Sequence, residues 1–132
     1  MNPYTRIFKN KAFTRFAKKA DIKDCDLCKA VANAENDLID ANLGGGVIKQ
    51  RVARDGEGKS GGFRTLILFK IGNRAFFVYG FAKNEKDNID TNDLISLKKL
   101  AAIMLNYTDA ELEYSLNKNI LIEVHCHEQT IP

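Results

Sequence analysis

No run in this chain approaches the roughly 18 consecutive apolar residues that a bilayer-spanning helix requires. The opening stretch MNPYTRIFKNKAF has no continuous apolar segment of the kind that directs export. These two absences predict a soluble, cytoplasmic protein with no membrane partner. Cysteine is scarce: three residues, an odd count, are too few for a disulfide framework, so reduced thiols are the expectation. Net charge is small as well, 20 Lys and Arg against 17 Asp and Glu leaving +3, too little to argue for nucleic acid from composition alone. Internal repeats, low-complexity segments and linkers are missing. What is present, 132 residues that are 45% hydrophobic and 28% charged, fits one globular domain over residues 1–132 with a substantial core.

The small total hides a segregated distribution. Residues 1–23 carry seven basic groups against Asp21, and residues 24–40 carry five acids against Lys29. Residues 41–86 hold nine basic groups, among them Lys49, Arg51, Arg54, Lys59, Arg64, Lys83 and Lys86, against Asp55, Glu57 and Glu85; the remainder is acidic again. The middle basic block points to a surface that faces a polyanion.

Periodicity gives the layout. Tyr4 to Phe8 reads as a first strand, and Asn10 caps a helix whose Phe13, Phe16, Ala17 and Ala20 recur at helical spacing, with Arg15 and the lysines opposite. Leu27, Ala30, Val31, Ala34, Leu38 and Ile39 mark a second amphipathic helix, ended by Gly44-Gly45-Gly46. The period then shortens. Val47 to Arg54, Phe63 to Ile71 and Arg74 to Lys83 read as three strands, the last two joined at Gly72-Asn73, which predicts an antiparallel meander. A helix capped by Asp90, Thr91 or Asn92, a capping-box helix from Thr108 and a last strand from Ile120 to Val124 complete an α+β fold with helices packed on the sheet.

Two motifs resemble familiar chemistry without its context. Ala53-Arg-Asp-Gly-Glu-Gly58-Lys59-Ser60 approximates a phosphate-loop spelling, but Gly61-Gly62 and a β-patterned run follow where a helix must open. A flexible turn presenting Lys59 is the better reading. Cys25-Asp-Leu-Cys28 and His125-Cys126-His127 raise zinc or redox chemistry, yet no second close pair exists, and in a strand Cys126 opposes the two histidines. Core Cys28 and exposed histidines are expected, with no metal and no cofactor.

The basic residues of the meander are more informative. Lys49, Arg51 and Arg54 on one strand, Lys59 in the turn, Arg64 on the next and Lys83 ending the third come within reach of one another when the strands pair, beside Tyr79 and Phe81. Cations that hold a phosphate and aromatics that stack a base are what single-stranded RNA requires, and RNA carries its own nucleophile in the 2′-OH.

The stretch Gly58-Lys-Ser-Gly-Gly-Phe-Arg64-Thr-Leu-Ile-Leu-Phe-Lys, followed by Ala75-Phe-Phe-Val-Tyr-Gly-Phe-Ala-Lys83-Asn-Glu-Lys86-Asp-Asn-Ile and a Leu-rich helix, resembles the RelE/HigB-type toxins of bacterial type II toxin–antitoxin systems. The specific part covers roughly residues 45–105. The resemblance implies a RelE-like fold and a metal-independent endoribonuclease that cuts mRNA on the ribosome and inhibits translation. It also implies a cognate antitoxin as partner, besides ribosome and mRNA. By the same resemblance, Arg64 is the phosphate-contacting arginine of the second meander strand. Lys83 holds the third-strand basic position, where an arginine is common, and Lys59 assists deprotonation of the 2′-OH. Arg51, Arg54 and Lys86 contact RNA, and Tyr79 or Phe81 stacks a base. Better-known members carry a Tyr or His near the C-terminus; His125 and His127 match that place by position, and Tyr79 or Phe81 could stack a base instead.

Two other readings keep the same basic sheet: a non-catalytic module that binds RNA or an acidic protein segment, and a toxin of the same fold directed at DNA gyrase.

Overall fold

The computed structural model describes residues 5–53, 62–82 and 89–126. Along the described chain run β1 (Arg6–Asn10), α1 (Lys11–Ala20), α2 (Asp24–Glu35), β2 (Ala41–Gly44), β3 (Val47–Val52), β4 (Phe63–Lys70), β5 (Arg74–Ala82), α3 (Thr91–Met104), α4 (Asp109–Asn117) and β6 (Leu121–Val124). The strands form one sheet in the order β2-β3-β4-β5-β1-β6. β3, β4 and β5 pair antiparallel in sequence, as the meander pattern predicts; β2 adds a further antiparallel strand beside β3, and β1 lies parallel to β5 and antiparallel to β6. An interior place for β1 follows from Ile7 and Phe8, adjacent residues on opposite faces that are both buried.

Each face of the sheet is covered by a pair of helices. Phe13, Ala17, Leu27, Ala30, Val31 and Ala34 of α1 and α2 pack on Ile7, Ile48, Val52, Ile67 and Phe77. On the other face Ala101, Met104 and Leu112 of α3 and α4 meet Phe8, Val47, Leu66, Leu68, Phe76 and Val78. α1 starts where the Asn10 side chain accepts a hydrogen bond from the Phe13 N–H at 2.8 Å. Its Phe13 and Ala17 turn inward, leaving Lys11, Arg15, Lys18 and Lys19 exposed. The Thr108–Glu111 capping box opens α4 as its spelling predicts. The buried Arg74 donates to the Tyr107 carbonyl at 2.8 Å, which ties β5 to the end of α3. Arg6 and Glu123 join β1 to β6 by two hydrogen bonds, at 2.8 and 2.9 Å, and this bonding raises the Arg6 guanidinium above its ordinary pKa.

The second helix is shorter than its periodicity suggests. α2 ends at Glu35, the chain reverses through Asp37 at φ +66°, and Leu38 is left 64% exposed rather than continuing the apolar stripe. Asp tolerates the left-handed conformation, which makes Asn36-Asp37 a natural stop. Residues 41–44 instead pair with β3, so Gly45-Gly46 forms a two-residue hairpin turn after Gly44, all three glycines at positive φ, rather than the end of a helix. The turn between β4 and β5 also holds three residues, Ile71, Gly72 and Asn73, in place of the expected two.

The thiols depart from expectation as well. Cys28 of α2 and Cys126, just beyond β6, are joined in a disulfide, and Cys25 alone is a free thiol. The two cysteines are 98 residues apart in sequence, and the fold brings their Cα atoms to 5.9 Å. Among the described residues no group of three His, Cys, Asp or Glu is placed to hold a metal ion, and no helix is long and apolar enough to cross a membrane.

Candidate functional site

Strand register assembles the site from residues far apart in sequence. Arg51 of β3 is paired with Arg64 of β4, and Arg64 with Phe81 of β5, so the three form one row across the sheet. In the next row stand Lys49, Leu66 and Tyr79. Both rows share the sheet face that carries Val47, Leu66 and Leu68, on which α3 packs. Directly opposed side chains lie about 5 Å apart at Cβ, close enough for one phosphate to meet more than one cation.

A bulge in β5 puts the aromatics on this face. Leu66 pairs with Tyr79 but Ile67 pairs with Phe77, so Val78 and Tyr79 together oppose a single residue of β4. Without that extra residue Tyr79 would follow Phe77 into the core beneath α1 and α2; with it, the ring is turned to the α3 side. Tyr79 is 43% exposed, while Phe81 is 4% exposed with its ring centroid 5.9 Å from that of Tyr79. Gly80, next in line, faces α1 so closely that a Cβ there would stand 2.3 Å from the Phe16 ring.

Arg64 is held at one edge. Its Nε forms an ion pair with Asp40 Oδ2 at 3.1 Å, and its Nη1 is buried with no hydrogen-bond partner among the described residues. Asp40 lies in the connection between α2 and β2, which is pinned by Gln50, a side chain only 3% exposed. The Gln50 Nε2 donates to the carbonyls of Ala30 (3.0 Å) and Leu38 (2.9 Å), and its Oε1 accepts from the Asp40 N–H at 3.0 Å. Every polar atom of that buried amide is thereby used, and the backbone carrying Asp40 is fixed relative to β3 and β4. An arginine paired at Nε keeps its full charge and a fixed orientation, the preset cation that a phosphate calls for. Arg51 packs alongside, its guanidinium about 3 Å from where a Cβ on Gly62 would lie.

Of the residues read from the sequence as site candidates, Arg51, Arg64, Tyr79 and Phe81 come together on this face. Arg54, Lys59, Lys83 and Lys86 lie outside the described residues, as do the phosphate-loop-like segment from Arg54 to Gly61 and His127. His125 is exposed beyond β6, which is separated from β4 by two strands, β5 and β1. Asp40 and Gln50 escaped sequence reading. Asp40 sits in an acidic block 24 residues before Arg64, and no local pattern marks either residue.

The family model described as the RelE toxin of the RelE/RelB toxin–antitoxin system matches residues 5–124, nearly the whole chain. No curated protein matches it.

Proposed function

The chain belongs to the RelE toxin family, and from that membership we propose that it is an endoribonuclease that cuts mRNA on the ribosome and so arrests translation, restrained by a cognate RelB-type antitoxin. What supports the reading is the pair of rows on the α3 face: two arginines side by side, one with a buried nitrogen that has no partner among the described residues, next to an exposed tyrosine ring.

The chemistry follows from what those groups offer. The 2′-oxygen attacks the adjacent phosphorus, the bond to the 5′-oxygen of the next nucleotide breaks, and a 2′,3′-cyclic phosphate remains. Lys59 takes or relays the 2′-OH proton, and water gives the departing 5′-oxygen the proton that makes it a 5′-OH. Arg64 and Lys83 stabilise the negative charge that grows on the phosphoryl oxygens, a role in which a preorganised donor is worth far more than in water. Tyr79 stacks a base, with Phe81 buttressing it from the next row. Arg51, Arg54 and Lys86 hold flanking phosphates, which fixes the register of the strand. The reaction uses only the RNA and protein side chains, so no metal or cofactor enters it. The antitoxin, on this reading, sets acidic residues against the same cations.

Purified protein incubated with ribosomes paused on a defined message tests the proposal, with 3′ ends mapped and end chemistry assayed. New ends bearing cyclic phosphate, absent with Arg64→Ala, are expected. Ribosome binding with no cleavage would favour a non-catalytic module, and DNA damage without message cleavage would favour gyrase as target.

A further inference from the structure

A cavity of about 270 Å³ opens beside Tyr79, between β4–β5 and the start of α3. Leu66, Val78 and Leu97 give it apolar walls, the Tyr79 ring forms one side, and Asp93 and Ser96 contribute its polar side chains. Asp93 and Ser96 are three residues apart on α3 and therefore share a face of the helix. Asp93 stands where a capping box would draw its carboxylate back to the helix start, yet α3 has no side-chain cap bond. Neither Asp93 nor Ser96 is engaged by a hydrogen bond or ion pair among the described residues.

Apolar walls and an aromatic ring with a carboxylate beside them match a nucleobase held by its faces and read at its edge. A carboxylate only accepts hydrogen bonds, and it accepts two side by side. Among the four RNA bases guanine alone presents two adjacent donors, N1–H and the 2-amino group, on its Watson–Crick edge. Adenine and cytosine set an amino donor beside a ring nitrogen that repels the carboxylate, and uracil flanks one N–H with two carbonyls. Tyr79 is one row from the Arg64 row, two residues or about 7 Å along the strand, a separation that a single nucleotide spans from phosphate to base.

We propose, resting on the ribonuclease reading above, that this cavity is the base pocket of the cut site, that it selects guanine, and that Asp93 is the specificity-determining residue. Ser96 adds one hydrogen bond to the same edge.

The test maps cut positions across many messages for wild type and Asp93→Asn. In parallel, 3′-GMP and 3′-IMP, which lacks the 2-amino group, are titrated into each protein while the Leu66 and Leu97 methyl NMR signals are followed. Wild type is expected to enrich guanine at one position beside the cut by about tenfold or more, a discrimination typical of a site built to bond a specific edge. Asp93→Asn, which presents one acceptor and one donor, is expected to lose that enrichment and move toward adenine or cytosine, with the protein still folded and its melting temperature lowered only slightly by the loss of one first-turn carboxylate. Wild type should favour GMP over IMP. Cuts without guanine enrichment, or an unchanged profile in Asp93→Asn, would overturn the pocket and leave the ribonuclease standing. Equal affinity for GMP and IMP would also overturn it. A GMP preference with no cleavage would keep the pocket and overturn the ribonuclease.

Discussion

Asp40 Oδ2 and Arg64 Nε stand 3.1 Å apart, so the connection between α2 and β2 holds one edge of an arginine in the middle of the sheet. If Arg64 stabilises the cleavage transition state, its orientation matters as much as its charge. Arg64→Ala is expected to cut cleavage by about 10²- to 10³-fold. Arg64→Lys should fall in between, keeping the charge and losing the fork. Asp40→Ala should lower kcat by about tenfold with a small change in KM. In the Arg64→Ala background it should do nothing further, because the two act as a unit. Single-turnover cleavage of the four proteins checks this, and additive losses would contradict it.

Tyr79 and Phe81 are neighbours with different expected roles. Tyr79→Ala should raise KM by about 5- to 150-fold, the loss of one base stack, whereas Tyr79→Phe should retain stacking. Phe81→Ala should instead destabilise the fold by about 3–5 kcal/mol, because the ring is almost fully buried. Urea unfolding beside steady-state kinetics separates the two effects.

Gly80 tests how α1 docks. An added methyl would meet the Phe16 ring, so Gly80→Ala should cost about 1–3 kcal/mol, and much of that loss should disappear when Phe16→Ala is added. Equilibrium unfolding of the single and double variants gives the coupling. A fully additive pair would mean that α1 does not press on β5 at this point.

The Cys28–Cys126 bridge predicts one reactive thiol per unfolded, unreduced chain rather than three. Reduction or Cys126→Ser should lower stability by about 2–5 kcal/mol, since the bond closes a long loop. Thiol titration in denaturant and thermal melts with and without reductant check this, and three reactive thiols would contradict it.

What the sequence made legible was local. The 3.6-residue rhythm of α1, the capping box at Thr108 and the alternation of β3 to β5 carry their structure in adjacent residues, and the meander that aligns Arg51 with Arg64 followed from them. The unforeseen features depend on pairing partners rather than on the local pattern. Residues 41–44 become a strand because β3 offers them a ladder, and β1 enters the sheet between β5 and β6. Asp40 reaches Arg64 because Gln50 pins its backbone, and Cys28 meets Cys126 across almost the whole chain. The Val78 bulge is the subtlest case. Strict alternation along β5 gives no hint that Tyr79 changes face, because the extra residue shows only in the pairing with β4.

The most direct test of the central claim is induced expression of wild type and Arg64→Ala in a bacterial host, with growth followed and message ends mapped by primer extension. Growth arrest with codon-phased cuts in wild type, and neither in Arg64→Ala, is the predicted result. Arrest without message cuts, or undiminished cutting by soluble Arg64→Ala protein, would contradict the account.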